Sequence, residues 1–203
     1  MNTARIVYIV DDDQAVRDSL IWLVESVGIA TEAFASADQF LSSYTPGPPA
    51  CIVADLRMPG MSGLELQKEL ASRHIPTPFI LMTAFGEVST AVKAMKAGAL
   101  DFIEKPFNDQ DMLDLINAAL VADEKRIKQS ELHADASSRI ADLTAKEHDV
   151  FTLVARGNSN KQIATTMGIS IKTVEVHRAR VMRKLGAQSL AELVQRYLES
   201  TSS

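Results

Sequence analysis

Ile6-Val7-Tyr8-Ile9-Val10-Asp11-Asp12-Asp13 is a five-residue apolar run that ends abruptly on three carboxylates. The run is too short for a helix and rich in β-branched residues, so it predicts a strand. Its near-continuous apolarity, in place of alternation, predicts burial on both faces, as in a parallel sheet. Outward from this stretch the pattern recurs. Apolar runs at Ala50–Ala54 and Phe79–Met82, a shorter one at Phe102-Ile103 and a weaker one at Thr31–Phe34 alternate with longer amphipathic stretches. Helical spacing occupies Gln14–Ser26, Ala37–Ser43, Gly63–Arg73, Val88–Ala97 and Asp109–Leu120. Five such units predict an α/β, flavodoxin-like, doubly wound parallel sheet of five strands in the order 2-1-3-4-5. Its ligand site is expected at the carboxyl ends of the strands.

The chain of 203 residues is 46% hydrophobic and 23% charged, ordinary for a globular protein and long enough for two small domains. Its net charge of -5 is unevenly spread. Residues 1–122 carry 8 Lys and Arg against 16 Asp and Glu, whereas residues 139–203 carry 10 against 6. An acidic module joined to a basic one points to an anionic partner for the second. Cys51, the single cysteine, sits in an apolar run and cannot form an intramolecular disulfide, which fits a reduced, cytoplasmic setting. No signal-peptide pattern follows Met1, and no apolar stretch reaches the roughly 20 residues of a membrane helix.

Segment 123–138 is charged and polar, with Ile127 and Leu132 its only large apolar residues. It reads as a linker, either a helical continuation of the preceding helix or a flexible tether. From Ile140 the pattern is purely helical. Thr144-Ala145-Lys146-Glu147 fits a capping box, and Gly157-Asn158 ends the helix it opens. Lys161–Met167 forms a second helix stopped at Gly168. Ser170 caps a third running to about Leu185, and Ser189–Leu198 makes a fourth, ahead of a frayed tail. The expected domains are therefore 1–122, a linker at 123–138, and a small all-α four-helix domain at 139–203.

Asp11, Asp12 and Asp13 follow the first strand, Asp55 the third, Thr83 ends the fourth and Lys105 the fifth. In a doubly wound sheet these strand ends converge. Crowded carboxylates repel one another unless a cation is present, and hard oxygen donors suit Mg²⁺. A lysine can pair with a carboxylate or a phosphoryl oxygen, and a threonine hydroxyl can donate to one. The set suits phosphoryl transfer onto a carboxylate nucleophile. Taken singly, Asp13 reads equally well as a helix N-cap.

These motifs carry a resemblance. Val10-Asp11-Asp12-Asp13, Asp55-Leu56-Arg57-Met58-Pro59-Gly60-Met61-Ser62-Gly63, Met82-Thr83-Ala84 and Asp101-Phe102-Ile103-Glu104-Lys105-Pro106-Phe107 resemble, in order and spacing, those of response-regulator receiver domains. The resemblance implies that Asp55 accepts a phosphoryl group. It implies that Asp12 and Asp55 ligate Mg²⁺, with Asp11 acting through water and the Arg57 main-chain carbonyl as a further ligand. Thr83 and Lys105 would bind phosphoryl oxygens, Thr83 and Phe102 would form the switch, and the Lys105-Pro106 peptide would be cis. A phosphatase with Asp55 as nucleophile is the rival. A haloacid-dehalogenase-type enzyme needs an acid two residues on, where this chain has Arg57, so an enzyme is not expected.

Between Arg156 and Lys184 there are seven Lys and Arg and one acid, Glu175. Ile163, Ala164 and Met167 form one apolar stripe and Val174, Val181 and Leu185 another, joined through Gly168-Ile169-Ser170, as in a helix-turn-helix. Leu143–Glu147, Gly157–Ala164 and Thr173–Arg178 resemble the LuxR-type helix-turn-helix domain, which identifies the chain as similar to the FixJ/NarL family, nearest the FixJ type. The expected DNA-contacting residues are Lys161, Lys172, Thr173, Glu175, Val176, His177, Arg178, Ala179, Arg180 and Arg183, with small and polar ones at base edges and arginines at phosphates. His177 reads equally as an internal packing residue. The resemblance implies a sensor histidine kinase, double-stranded promoter DNA and RNA polymerase as partners, and a homodimer once phosphorylated. A helical end that binds protein in place of DNA is disfavoured by its basic third helix.

Overall fold

The computed structural model describes residues 4–84 and 101–201. Five strands form one sheet: β1 (Ile6–Val10), β2 (Ala30–Phe34), β3 (Ala50–Asp55), β4 (Phe79–Ala84) and β5 (Asp101–Lys105). They pair in the order 2-1-3-4-5 and every pair is parallel. Between them lie α1 (Gln14–Ser26), α2 (Ala37–Ser43) and α3 (Gly63–Ser72); α4 (Asp109–Ala141) follows β5. The helix expected at Val88–Ala97 lies outside the described residues.

Alternate residues of β1, β3, β4 and β5 feed two cores, whereas the edge strand β2 is largely exposed. Tyr8, Val10, Ile52, Ala54 and Leu81 pack on one face with Phe40 of α2 and Leu66 and Leu70 of α3. Val7, Ile9, Val53, Ile80 and Met82 pack on the other with Leu20, Leu23 and Val24 of α1 and Met112, Ile116 and Leu120 of α4. A strand buried on both sides has no place for polar residues, hence its uninterrupted apolarity. The register brings Val10 beside Ala54 and Asp55 beside Met82, which draws the polar residues after each strand to one edge.

By internal contacts the chain divides into Met1–Ile127 and Lys128–Ser203. Helix α4 is 33 residues long and continues through segment 123–138, past the Leu120 expected from periodicity. No Gly or Pro interrupts it, so no helix breaker stops it locally. At the start of β3 the buried Asp123 carboxylate accepts the Ala50 N–H at 3.0 Å and pairs with Arg126 at 2.8 Å.

The second unit holds α5 (Ala145–Ala155), α6 (Asn160–Met167), α7 (Ile171–Leu185) and α8 (Leu190–Thr201). Thr144 with Glu147, and Ser159 with Gln162, form capping boxes, and Ser170 accepts the Thr173 N–H. Gly168 has φ +64°, the left-handed conformation that lets α6 stop and α7 start after only three intervening residues. Val150, Phe151, Ile163, Val174, Val181, Leu185 and Leu193 make its core. Helix α8 continues to Thr201, beyond the Leu198 expected. Among the described residues no helix is long and apolar enough to cross a membrane.

Candidate functional site

Asp11, Asp55 and Lys105 come from the ends of three different strands and meet in one pocket. The Lys105 ammonium donates to Asp11 Oδ2 at 2.8 Å and to Asp55 Oδ1 at 2.6 Å. The other Asp55 oxygen accepts the Arg57 N–H at 2.6 Å. Asp11 is 1% exposed, and its Oδ1 accepts the Asp13 N–H at 2.9 Å. Asp13 itself caps α1 by accepting the Ala15 N–H, the alternative left open by the sequence. Asp12, the residue after Asp11, is exposed. Thr83 is buried at the end of β4, next to the Met82 that pairs with Asp55. Phe102, opposite Leu81 in β5, is half-buried against the core that holds α2 and α3. The Lys105-Pro106 peptide is cis.

The electrostatics of the pocket differ by partner. Burial pushes the Asp55 carboxyl up, and the negative charge of Asp11 adds to it. Hydrogen bonds from Lys105 and the Arg57 N–H pull the other way without cancelling it. Burial pulls Lys105 down, but two carboxylates act on it and hold it above its ordinary value. The two shifts point in opposite senses about the same ion pair. The geometry reconciles them, because one lysine serves two acids: Lys105 gains twice, whereas Asp55 gains half a partner and has a like charge beside it.

Among the described residues no three or more His, Cys, Asp or Glu side chains are grouped so that they could hold a metal ion by themselves. Lys105 is the cation that now bridges Asp11 and Asp55. The donor set nevertheless fits Mg²⁺ in its chemistry. Three carboxylates and the Arg57 main-chain carbonyl are all hard oxygens, and Mg²⁺ needs only one or two carboxylates because it keeps water and phosphate oxygens as its remaining ligands.

The second candidate surface is α7. Lys172, Thr173, Glu175, Val176, Ala179, Arg180 and Arg183 are exposed along it, and Lys161 is exposed in the first turn of α6. Two of the residues expected from the sequence are partly buried. Arg178 Nη1 donates to Asn160 Oδ1 at 2.8 Å, tying α7 to the start of α6. His177 is half-buried, and its Nδ1 lies buried without a hydrogen-bond partner. The Thr173 hydroxyl shares a 2.8 Å hydrogen bond with the Ser170 cap. Lys172 and Glu175 form a loose exposed pair at 3.7 Å, worth little in water.

Several polar residues escaped the sequence reading. Lys184 turns away from the basic face and donates to Glu147 Oε2 at 2.7 Å and to the Asp142 carbonyl at 2.9 Å. That ammonium, with the Thr144 N–H, holds the Glu147 carboxyl far below the usual range, at about 2. Arg17 is buried under the Asp11–Asp13 turn. Cys51 is fully buried, and burial pushes its thiol up. A capping-box motif pointed to Glu147. No periodicity or motif pointed to Arg17 or Lys184.

Comparison with known proteins follows the two units. Residues 7–117 match the response regulator receiver domain, and residues 141–197 match the bacterial regulatory proteins of the luxR family. The transcriptional regulatory protein FixJ of Azorhizobium caulinodans is 46% identical over 188 residues, covering 93% of this chain and 89% of the relative. Nodulation protein W of Bradyrhizobium diazoefficiens is 43% identical over 193 residues, 95% of this chain and 85% of the relative. Among solved structures, the response regulator StyR superposes with a TM-score of 0.88 at 41% identity, covering 97% of this chain and 99% of that one. Full-length FixJ from B. japonicum gives 0.60 at 40% identity, with 98% of both chains covered.

Proposed function

The chain belongs to the FixJ-like response regulators, transcriptional regulators of two-component systems that join a receiver to a LuxR-type DNA-binding domain, and from that premise we propose that Asp55 is its phosphoacceptor and α7 its recognition helix. The observation that carries the reading is the convergence of Asp11, Asp55 and Lys105 within 2.8 Å from the ends of β1, β3 and β5.

A sensor histidine kinase, or a small acyl phosphate, supplies the phosphoryl group in the cytoplasm. One Asp55 carboxylate oxygen forms the new P–O bond and the donor's P–N or P–O bond breaks, its electron pair leaving with the donor. Asp12, Asp55 and the Arg57 main-chain carbonyl, with Asp11 through water, would hold Mg²⁺, which would supply positive charge to offset that of the transferring group. Lys105 exchanges its bond to Asp55 Oδ1 for one to a phosphoryl oxygen, and the Thr83 hydroxyl donates to another. Phe102 carries the change by packing alone, since it has no hydroxyl. The receiver spans 1–122 and the DNA-binding domain 139–203, with 123–138 as the linker. Phosphorylated chains pair as a homodimer, which sets two α7 helices on a two-fold promoter site within reach of RNA polymerase.

Acetyl phosphate with Mg²⁺, read by intact mass, tests the assignment. Wild type gains one phosphoryl group and Asp55→Asn gains none. An equal adduct on the variant would overturn it.

A further inference from the structure

Arg17 lies in the first turn of α1 and is 9% exposed. Its Nη1 donates to the main-chain carbonyl of Asp11 at 2.6 Å, and its Nη2 donates to the Gln14 side-chain oxygen. Three features make this placement unfavourable in the absence of a compensating role. A cation in the first turn opposes the helix dipole. A buried guanidinium loses hydration. Both of its acceptors are neutral, so among the described residues no direct ion pair offsets that loss.

The Asp11 carbonyl belongs to the peptide that joins Asp11 to Asp12. The Asp11 carboxylate is held directly, by the Asp13 N–H and by Lys105. Asp12 is different: it is exposed, and among the described residues its carboxylate has no hydrogen bond or ion pair. Its direction is therefore set by the backbone, and Arg17 grips that backbone one peptide away. We propose that Arg17 is a positioning residue for phosphoryl transfer, fixing the Asp11–Asp12 peptide so that Asp12 is aimed at the cation-binding mouth of the pocket. This rests on the reading of the pocket given above. Groups that orient a metal ligand matter to affinity without touching the metal. Arg17 thus acts on the cation requirement of the reaction and leaves the nucleophile Asp55 and its partner Lys105 in place.

The test uses the full chain, with Mg²⁺ titrated at fixed acetyl phosphate. Mn²⁺ binding without a phosphodonor, read by electron paramagnetic resonance, is the second readout. Arg17→Met should raise the Mg²⁺ concentration for half-maximal phosphorylation, and weaken Mn²⁺ binding, by about tenfold or more, with the rate at saturating Mg²⁺ close to wild type. Arg17→Lys, which keeps one donor for the Asp11 carbonyl, should recover most of the loss. Gln14→Ala, at an exposed position that does not endanger folding, frees the second tether and should shift both readouts in the same direction by a smaller factor. Unchanged cation dependence in a folded Arg17→Met overturns the proposal, as does a fall in saturated rate with no change in cation affinity. If Arg17→Met does not fold, unchanged readouts in both Arg17→Lys and Gln14→Ala overturn it equally. A wild type that is phosphorylated without any divalent cation would sink the pocket reading itself, a distinguishable result.

Discussion

Gly63 sits against the main-chain carbonyl of Asp55, so closely that a β-carbon at Gly63 would overlap that oxygen and lie 2.9 Å from Leu81 Cδ1. The start of α3 is thereby seated on the end of the strand that carries the phosphoacceptor, and the Gly63 N–H donates to Leu56 at 3.1 Å. Backbone on one side and a core leucine on the other leave a methyl group nowhere to go.

Gly63→Ala therefore should push the end of β3 out of register with Lys105. The expected cost is roughly 1–3 kcal/mol of stability, typical of overpacking, together with a clear loss of phosphorylation by acetyl phosphate. Thermal unfolding and intact mass measure the two. A variant as stable as wild type and fully phosphorylated would show that α3 can move away freely.

The buried Glu147–Lys184 pair makes the DNA-binding unit sensitive to acid. Its carboxyl falls from 4.5 to about 2, so the stabilisation is present above about pH 4.5 and is lost as pH drops through about 2. Glu147→Gln should loosen α5 at neutral pH, and the difference from wild type should shrink toward zero near pH 2. Hydrogen exchange of the Ala145–Ala155 amides in the full chain, compared at equal pH, reads this. A difference independent of pH would mean that shape, not charge, is what the glutamate supplies.

On α7, the exposed Arg183 should separate by function from Glu175 and Val176. Arg183→Ala should weaken binding to specific and random duplexes alike and lower the salt slope by about one unit. Changes at Glu175 or Val176 should alter base preference by roughly 1–3 kcal/mol at the position contacted. Binding of each variant to a library of site mutants decides, and a reversed pattern would mean that the helix enters the groove differently.

Phosphorylation should change the assembly state. At micromolar concentration the chain should scatter light as a monomer, and as a dimer once beryllofluoride and Mg²⁺ are added. An unchanged mass contradicts the homodimer, and a dimer in both conditions moves the pairing surface away from the switch.

Arg178 shows where sequence and structure part. The resemblance to the LuxR-type signature put it among the expected DNA contacts, whereas its Nη1 donates to Asn160 Oδ1, 18 residues earlier. Most of the expected DNA contacts were legible as one face of α7, from Lys172 to Arg183. Which of them are already engaged inside the domain was not, because that depends on how α6 packs against α7.

What the sequence determined by itself follows from period and local chemistry. Uninterrupted apolar runs demanded strands buried on both faces, and the parallel order 2-1-3-4-5 is the sheet they form. Carboxylates directly after β1 and β3 and a lysine at the end of β5 had to gather at one edge, since parallel strands present their carboxyl ends together. The caps at Thr144 and Ser170 are local hydrogen bonds spanning three residues, which four consecutive letters suffice to reveal. Tertiary structure alone decided the pairings that no period encodes: Lys105 shared between Asp11 and Asp55, Glu147 with Lys184, and Asp123 with the Ala50 N–H, the last separated by 73 residues. A polar side chain in a sequence carries no mark of its partner. Burial removes water from it and obliges it to find one, and only the packed chain fixes which partner is within reach.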